Sequence, residues 1–259
     1  MIRTTALAAI AALATFAGPG LAEDPLRIGV EGAYPPFSSK EADGTLVGFD
    51  IDITHALCAE LNRECVLVEQ DWDGMIPALK ARKFDAIIAS MSITEERKTQ
   101  IDFSQKYYQT PARVVAGNDA DFDATAEGLA GKRLGLQRGT THQCYAEKSF
   151  PDTEIVLYAT QEEVFRDLAI GRIDAQLSDS LLAQESFLSS DEGADFGFLG
   201  GDLIDLECFG EGAGVAVRKG EEELRDAISA AILALRANGK YAEINSKYFP
   251  FDIYGGDPE

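Results

Sequence analysis

Apolar positions along the chain fall into two rhythms. Short runs rich in aliphatic and aromatic residues occupy 26–30, 65–68, 84–89, 112–116, 133–136, 154–158, 173–177 and 214–217, and these read as strands. Between most of them the apolar residues recur three or four apart. Phe49, Ile53, Leu57 and Leu61 mark one helix face, Val164, Phe165 and Leu168 a second, and Leu224, Ile228, Ile232 and Leu235 a longer third that Gly239 closes as a C-terminal cap. Strands alternating with helices predict an α/β fold with mostly parallel sheets. No repeat or low-complexity linker interrupts the pattern, and the glycine-rich stretch 210–214 ahead of the last strand reads as a turn or a crossover.

The first 22 residues break this rhythm. Arg3 is the only charge among them; an Ala/Leu/Ile stretch follows, then Gly18-Pro19-Gly20 and Leu21-Ala22. A positive start, a short apolar run and small residues at the cleavage point describe a secretory signal peptide over 1–22. The run is too short and too broken by Gly and Pro for a spanning helix, and no later stretch replaces it. The expected product is soluble and exported to an oxidising compartment, where the four cysteines read as disulfide partners. Cys58 and Cys65 flank a short loop and suit a local bond, while Cys144 and Cys208 are left over, with their separation in space open. Zinc needs clustered Cys and His, and the only histidines are His55 and His142, so no metal site is expected.

Composition narrows the function. The 259 residues suffice for one large domain or two ordinary ones, and 46% apolar content excludes a disordered chain. Acidic residues outnumber basic ones 44 to 23, a net charge of −21 that repels phosphate backbones and anionic lipid heads. Nucleic-acid and membrane-surface partners are therefore not expected.

Ligand sites in open α/β sheets gather at the carboxyl ends of strands. The residues just after the predicted strands are Glu31 to Tyr34, Asp71-Trp72-Asp73, Ser90-Met91-Ser92 with Thr94 and Arg97, Gln137 to His142, and Ser178-Asp179. Each has a plain structural reading beside the functional one. Arg97 falls in the first turn of a helix that Thr94 can cap, where a cation opposes the helix dipole and suits an anion-binding role, or is balanced by Glu95 and Glu96. Gly139-Thr140-Thr141 opens a helix whose free N–H groups can hold a carboxylate, or is ordinary capping. Asp179 reads equally as a helix cap, Glu31 as a solvated loop acid, Tyr34 as core, and Trp72, between two aspartates, as a rim or pocket wall.

An ordered set of motifs brings these together. Residues 27–37 (RIGVEGAYPPF), 48–53 (GFDIDI), 71–79 (DWDGMIPAL), Ser90-Met91-Ser92-Ile93-Thr94 with Arg97, 171–175 (GRIDA) and 247–251 (KYFPF) resemble the periplasmic polar-amino-acid-binding proteins of ABC importers. The nearest pattern is that of the lysine/arginine/ornithine and histidine binders, with similarity to opine binders. The resemblance implies a type II periplasmic-binding-protein fold. Lobe one would hold 23–108 plus 212–254 and lobe two 113–205, with crossovers at 109–112 and 206–211 on which the clamshell closes. Cys58–Cys65 matches the family's disulfide, whereas Cys144–Cys208 matches none and rests on counting.

By position, Arg97 would grip an α-carboxylate, helped by the N–H groups of Ser92 and Thr141. The Ser90 region and Asp179 would hold the α-ammonium, Tyr34 and Trp72 would sandwich the side chain, and Glu31 would face its distal charge. Thr140 lies beside these. Trp72 stands where other members carry Phe, Ala89 replaces a family serine, and Gln137 and His142 occupy side-chain-contacting positions but differ from the lysine/arginine/ornithine pattern. A zwitterion leaves Glu31 unpaired unless it brings a second cation, which favours arginine, lysine or ornithine over a neutral amino acid, with histidine or an opine as the alternative ligand. The implied protein is a periplasmic monomer without cofactor that serves an inner-membrane ABC permease. Rival readings are a bilobed enzyme, such as a dehydratase using Glu31 and Asp179, and a receptor-coupled sensor. No Gly-x-Ser-x-Gly elbow or P-loop supports the enzyme.

Overall fold

The computed structural model describes residues 24–255, so the expected leader at 1–22 lies outside the described residues. Two five-stranded sheets carry the chain. In spatial order the first runs Cys65–Glu69, Leu26–Val30, Ala86–Ile87, Ala213–Arg218, Ile101–Tyr108, and the second Glu154–Tyr158, Arg133–Gln137, Ala175–Asp179, Ala112–Gly117, Phe196–Leu203. The first three strands of each sheet are mutually parallel. The fourth is antiparallel to both neighbours. That fourth strand is, in each sheet, the one reached by crossing from the other sheet. The chain leaves the first sheet at Tyr108 and enters the second at Ala112, then leaves at Leu203 and returns at Ala213.

Each sheet is the floor of a lobe with helices on both faces. The predicted helix faces are found in Phe49–Glu60, Gln161–Ala169 and Glu222–Ala237. The last ends at Asn238, and Gly239 follows in the left-handed conformation (φ 84°) that a glycine adopts without steric cost. One buried cluster joins Ile28, Phe49 and Ile232 of the first lobe to Val164, Phe165 and Phe187 of the second, so the lobes share core as well as chain. Both cysteine pairs are bonded. Cys58–Cys65, with Cα atoms 6.1 Å apart, ties a helix end to the strand that follows it, and Cys144–Cys208, at 5.6 Å, ties helix Thr141–Ser149 to the short helix Leu206–Phe209 of the return crossover. Among the described residues no helix is long and apolar enough to cross a membrane.

The apolar pattern misplaces some strands. The run 84–89 yields only Ala86–Ile87, because the chain leaves the sheet at once to form the Ser90 turn. The strand expected at 173–177 is shifted to Ala175–Asp179. Ile101–Tyr108 and Phe196–Leu203 are absent from the pattern because both are edge strands; polar residues break the first, and three glycines dilute the second. The small sheet Ala33–Tyr34, Ser38–Lys40, Leu46–Val47 is too short to leave a periodic signal.

Candidate functional site

Carboxyl ends of strands from both lobes converge on one cleft. Its space is about 660 Å³ with the open solvent at the mouth included. Glu31, Tyr34, Trp72, Ser90, Ser92, Arg97, Gln137, Thr140, Thr141, His142 and Asp179 all line it. Sequence reasoning did not single out Tyr108, Gln109, Thr110, Phe209 and Gly212, which come from the two crossovers. The crossovers implied at 109–112 and 206–211, and the Gly-rich stretch 210–214, are the signals in the sequence that the chain passes there.

Arg97 follows from local capping. Thr94 Oγ1 accepts the Arg97 N–H at 3.2 Å and starts the one-turn helix Glu95–Lys98. The guanidinium is buried; Nη1 donates to Ser92 O at 3.0 Å and Nη2 to Gly139 O in the other lobe at 3.3 Å. Its carbon lies 5.3 Å from the Trp72 ring centroid, and Trp72 Nε1 also donates to Gly139 O at 3.3 Å. Burial lowers Arg97 to about 10, so it stays cationic at neutral pH.

In the second lobe Thr140 caps helix Thr141–Ser149, accepting the Gln143 N–H while donating to Gln137 O at 2.7 Å. Thr141 and His142 therefore sit in the first turn, where backbone N–H groups lack helical acceptors. Burial, and secondarily the Arg97 charge, lowers His142 to about 4 and keeps it neutral. Asp179 is a helix cap that also lines the cleft. Its Oδ1 caps helix Ser180–Ala183 through Leu181 N–H (2.9 Å) and Leu182 N–H (3.0 Å), its Oδ2 accepts the Thr110 hydroxyl, and the residue still lines the cleft. Burial outweighs those bonds and raises Asp179 to about 6.

Glu31 is 7% exposed, which removes the solvated-acid reading. Its Oε1 accepts from Gln137 Nε2 across the cleft at 2.7 Å. Burial raises it to about 7, the Gln137 bond opposes that, and repulsion from Asp50, Asp71 and Asp73 adds to it. Ser90 lines the cleft as well. Its hydroxyl donates to the buried Asp50 at 2.9 Å, so that proton is committed away from the cleft. Asp50 was missed because an acid in the first turn of an amphipathic helix looks like an ordinary dipole partner.

Around the mouth the lobes meet directly. Arg138 pairs with Asp73 at 2.7 Å, and Ser186 Oγ donates to Pro35 O at 2.6 Å. With the Gln137–Glu31 and Trp72–Gly139 bonds, these contacts hold the two lobes closed on one another.

Two α/β lobes, paired crossovers and a polar cleft between them define the type II periplasmic-binding-protein architecture. The chain belongs to the bacterial extracellular solute-binding proteins, family 3, whose sequence profile matches residues 26–251. It is 49% identical over 259 residues to the L-arginine-binding protein of Pseudomonas aeruginosa, covering 99% of this chain and 100% of that one. It is 43% identical over 233 residues to the histidine-binding periplasmic protein of Escherichia coli, covering 89% and 90%. A solved periplasmic binding protein of Salmonella typhimurium, described for its high arginine specificity, matches with TM-score 0.81 and 35% identity over 87% of this chain and 99% of that one.

Proposed function

We propose that this protein captures a cationic L-amino acid, arginine before lysine or ornithine, in the periplasm and hands it to an inner-membrane ABC permease. One observation carries the reading: beside the phenols of Tyr34 and Tyr108, which burial keeps neutral, the titratable lining of the cleft is one guanidinium, two carboxylates raised by burial, and a neutral imidazole. Arginine brings the complementary count, one carboxylate and two cations, so every buried charge finds a partner. Arg97 with the N–H groups of Ser92 and Thr141 takes the α-carboxylate. Asp179 and an acceptor of Ser90 take the α-ammonium. Glu31, oriented by Gln137, takes the distal cation, while Tyr34 and Trp72 flank the side chain and Thr140 and His142 complete the wall. The lobes, 23–108 plus 212–254 and 113–205, close about crossovers 109–112 and 206–211. This set binds a zwitterion fully and leaves no nucleophile over, which favours a carrier over an enzyme. The relatives named for arginine and histidine support the ligand class.

A thermal-shift screen of the twenty amino acids with ornithine, citrulline and octopine tests this. A ligand at 100 times its Kd stabilises the folded state by about 2.7 kcal/mol, a rise of roughly 5–11 °C for a chain of this size. Arginine should give the largest rise. A rise with neutral amino acids alone, or with none, refutes the reading.

A further inference from the structure

We propose that Asp50 and Tyr107, which do not reach the cleft, are positioning residues that fix the hydrogen-bond polarity of Ser90 and so the cleft's selectivity for an α-ammonium group. The inference deepens the amino-acid reading above and rests on it.

Ser90 is held in the left-handed backbone region (φ 53°), a conformation a serine keeps only where its surroundings impose it. Its surroundings are a closed triangle. The Ser90 N–H donates to the Tyr107 hydroxyl oxygen at 3.0 Å. That hydroxyl donates to Asp50 Oδ1 at 2.9 Å, and the Ser90 hydroxyl donates to Asp50 Oδ2 at 2.9 Å. Asp50 and Tyr107 are wholly buried. They come from helix Phe49–Glu60 and strand Ile101–Tyr108, so two distant elements converge on one serine.

The consequence is a matter of proton counting. Ser90 owns two donors, its N–H and its O–H, and both are spent on the triangle. Ser90 still lines the cleft, and what it can present there is lone pairs only. An ammonium group offers donors only, so this polarity selects it, and a hydrogen turned into the cleft opposes it. Asp50 accepts both hydroxyl protons only as a carboxylate. A neutral or amide side chain there cannot accept on both oxygens, and one Ser90 proton is released toward the ligand.

The test compares L-arginine with its α-hydroxy analogue, argininic acid, whose α-hydroxyl can accept a hydrogen bond where the ammonium cannot. Both are titrated calorimetrically at pH 8 into the full exported chain. Asp50→Asn keeps an acceptor for Tyr107 but places an amide donor against Ser90 Oγ, so the serine proton turns into the cleft. Arginine should weaken at least about tenfold, while argininic acid stays within about threefold. Adding Ser90→Ala to Asp50→Asn removes the misdirected proton and should recover part of the arginine affinity, although Ser90→Ala alone weakens it. Tyr107→Phe frees the Ser90 N–H and should shift the same ratio, which keeps the test open if Asp50→Asn folds poorly. Equal weakening of both ligands in Asp50→Asn and Tyr107→Phe, or additive losses in the double variant, overturns the inference. Loss of arginine binding in the unsubstituted chain overturns the amino-acid reading itself, and is seen before any variant is made.

Discussion

Replacing Glu31 by Gln separates what this carboxylate does for the ligand from what it costs the fold. Glu31 is 7% exposed, and its folded-state value is raised from 4.5 to about 7. The folded chain therefore holds this proton more tightly than the unfolded chain. Stability is complete below 4.5 and is lost as pH rises to about 7. Once Glu31 is ionised the loss is on the order of 3 kcal/mol. Glu31→Gln keeps an oxygen for the Gln137 amide, which now bonds Oε1 at 2.7 Å, and removes the charge. Without ligand the variant should melt higher than the parent at pH 8, by roughly 6–12 °C, and the gain should shrink toward nothing at pH 5. Its arginine affinity moves the other way. Removing one partner of a buried hydrogen-bonded charge pair costs about 2–4 kcal/mol, a weakening of roughly 30- to 1000-fold. Glutamine brings no second cation and should keep its affinity. Calorimetric titration with both ligands at pH 8 and melting curves at pH 5 and 8 read all of this. Equal losses for arginine and glutamine, or no rise in the melting point without ligand, refute the assignment.

Asp179→Asn should spare the helix start, because an amide oxygen can still accept from Leu181 and Leu182, yet weaken arginine by at least about 100-fold in titration. Asp179→Ala should lose both, with a cap penalty of about 1 kcal/mol in denaturant melts. Arg138→Ala removes a half-exposed interlobe pair worth about 0.2–1 kcal/mol, so stopped-flow should show arginine leaving up to about fivefold faster at an unchanged association rate. Opening Cys144–Cys208 with two serines should cost more than opening Cys58–Cys65, about 4 against about 2 kcal/mol by loop entropy, because their sequence separations are 64 and 7; equal shifts in urea midpoint would contradict this.

The site was largely legible because topology concentrates it. Parallel strands deliver their carboxyl ends to one edge, so the residues after 26–30, 65–69, 133–137 and 175–179 had to share a cleft once the sheets formed. Other parts left no local trace. Cys144 meets Cys208 only because the return crossover passes helix Thr141–Ser149, a fact of three-dimensional path. Ile101–Tyr108 is placed by its partner Ala213–Arg218, more than a hundred residues away, and polar side chains hide its rhythm. The Asp50 triangle needs three segments to meet, and each of its members looks ordinary alone: a helix-start acid, a turn serine, a strand tyrosine.

The raised carboxylates tie these strands of argument together. Glu31, Asp50 and Asp179 are all pushed upward by burial, while Arg97 is pushed down. The protein alone thus carries a cluster of like charges that its own side chains do not balance. A ligand with two cations and one carboxylate would pair Glu31, Asp179 and Arg97, the members that line the cleft, whereas a neutral amino acid would leave Glu31 to take up a proton. Specificity then resides less in the number of bonds offered to arginine than in the cost of leaving an acid unmatched. It should therefore sharpen as pH rises through about 7 and blur as Glu31 becomes neutral below it.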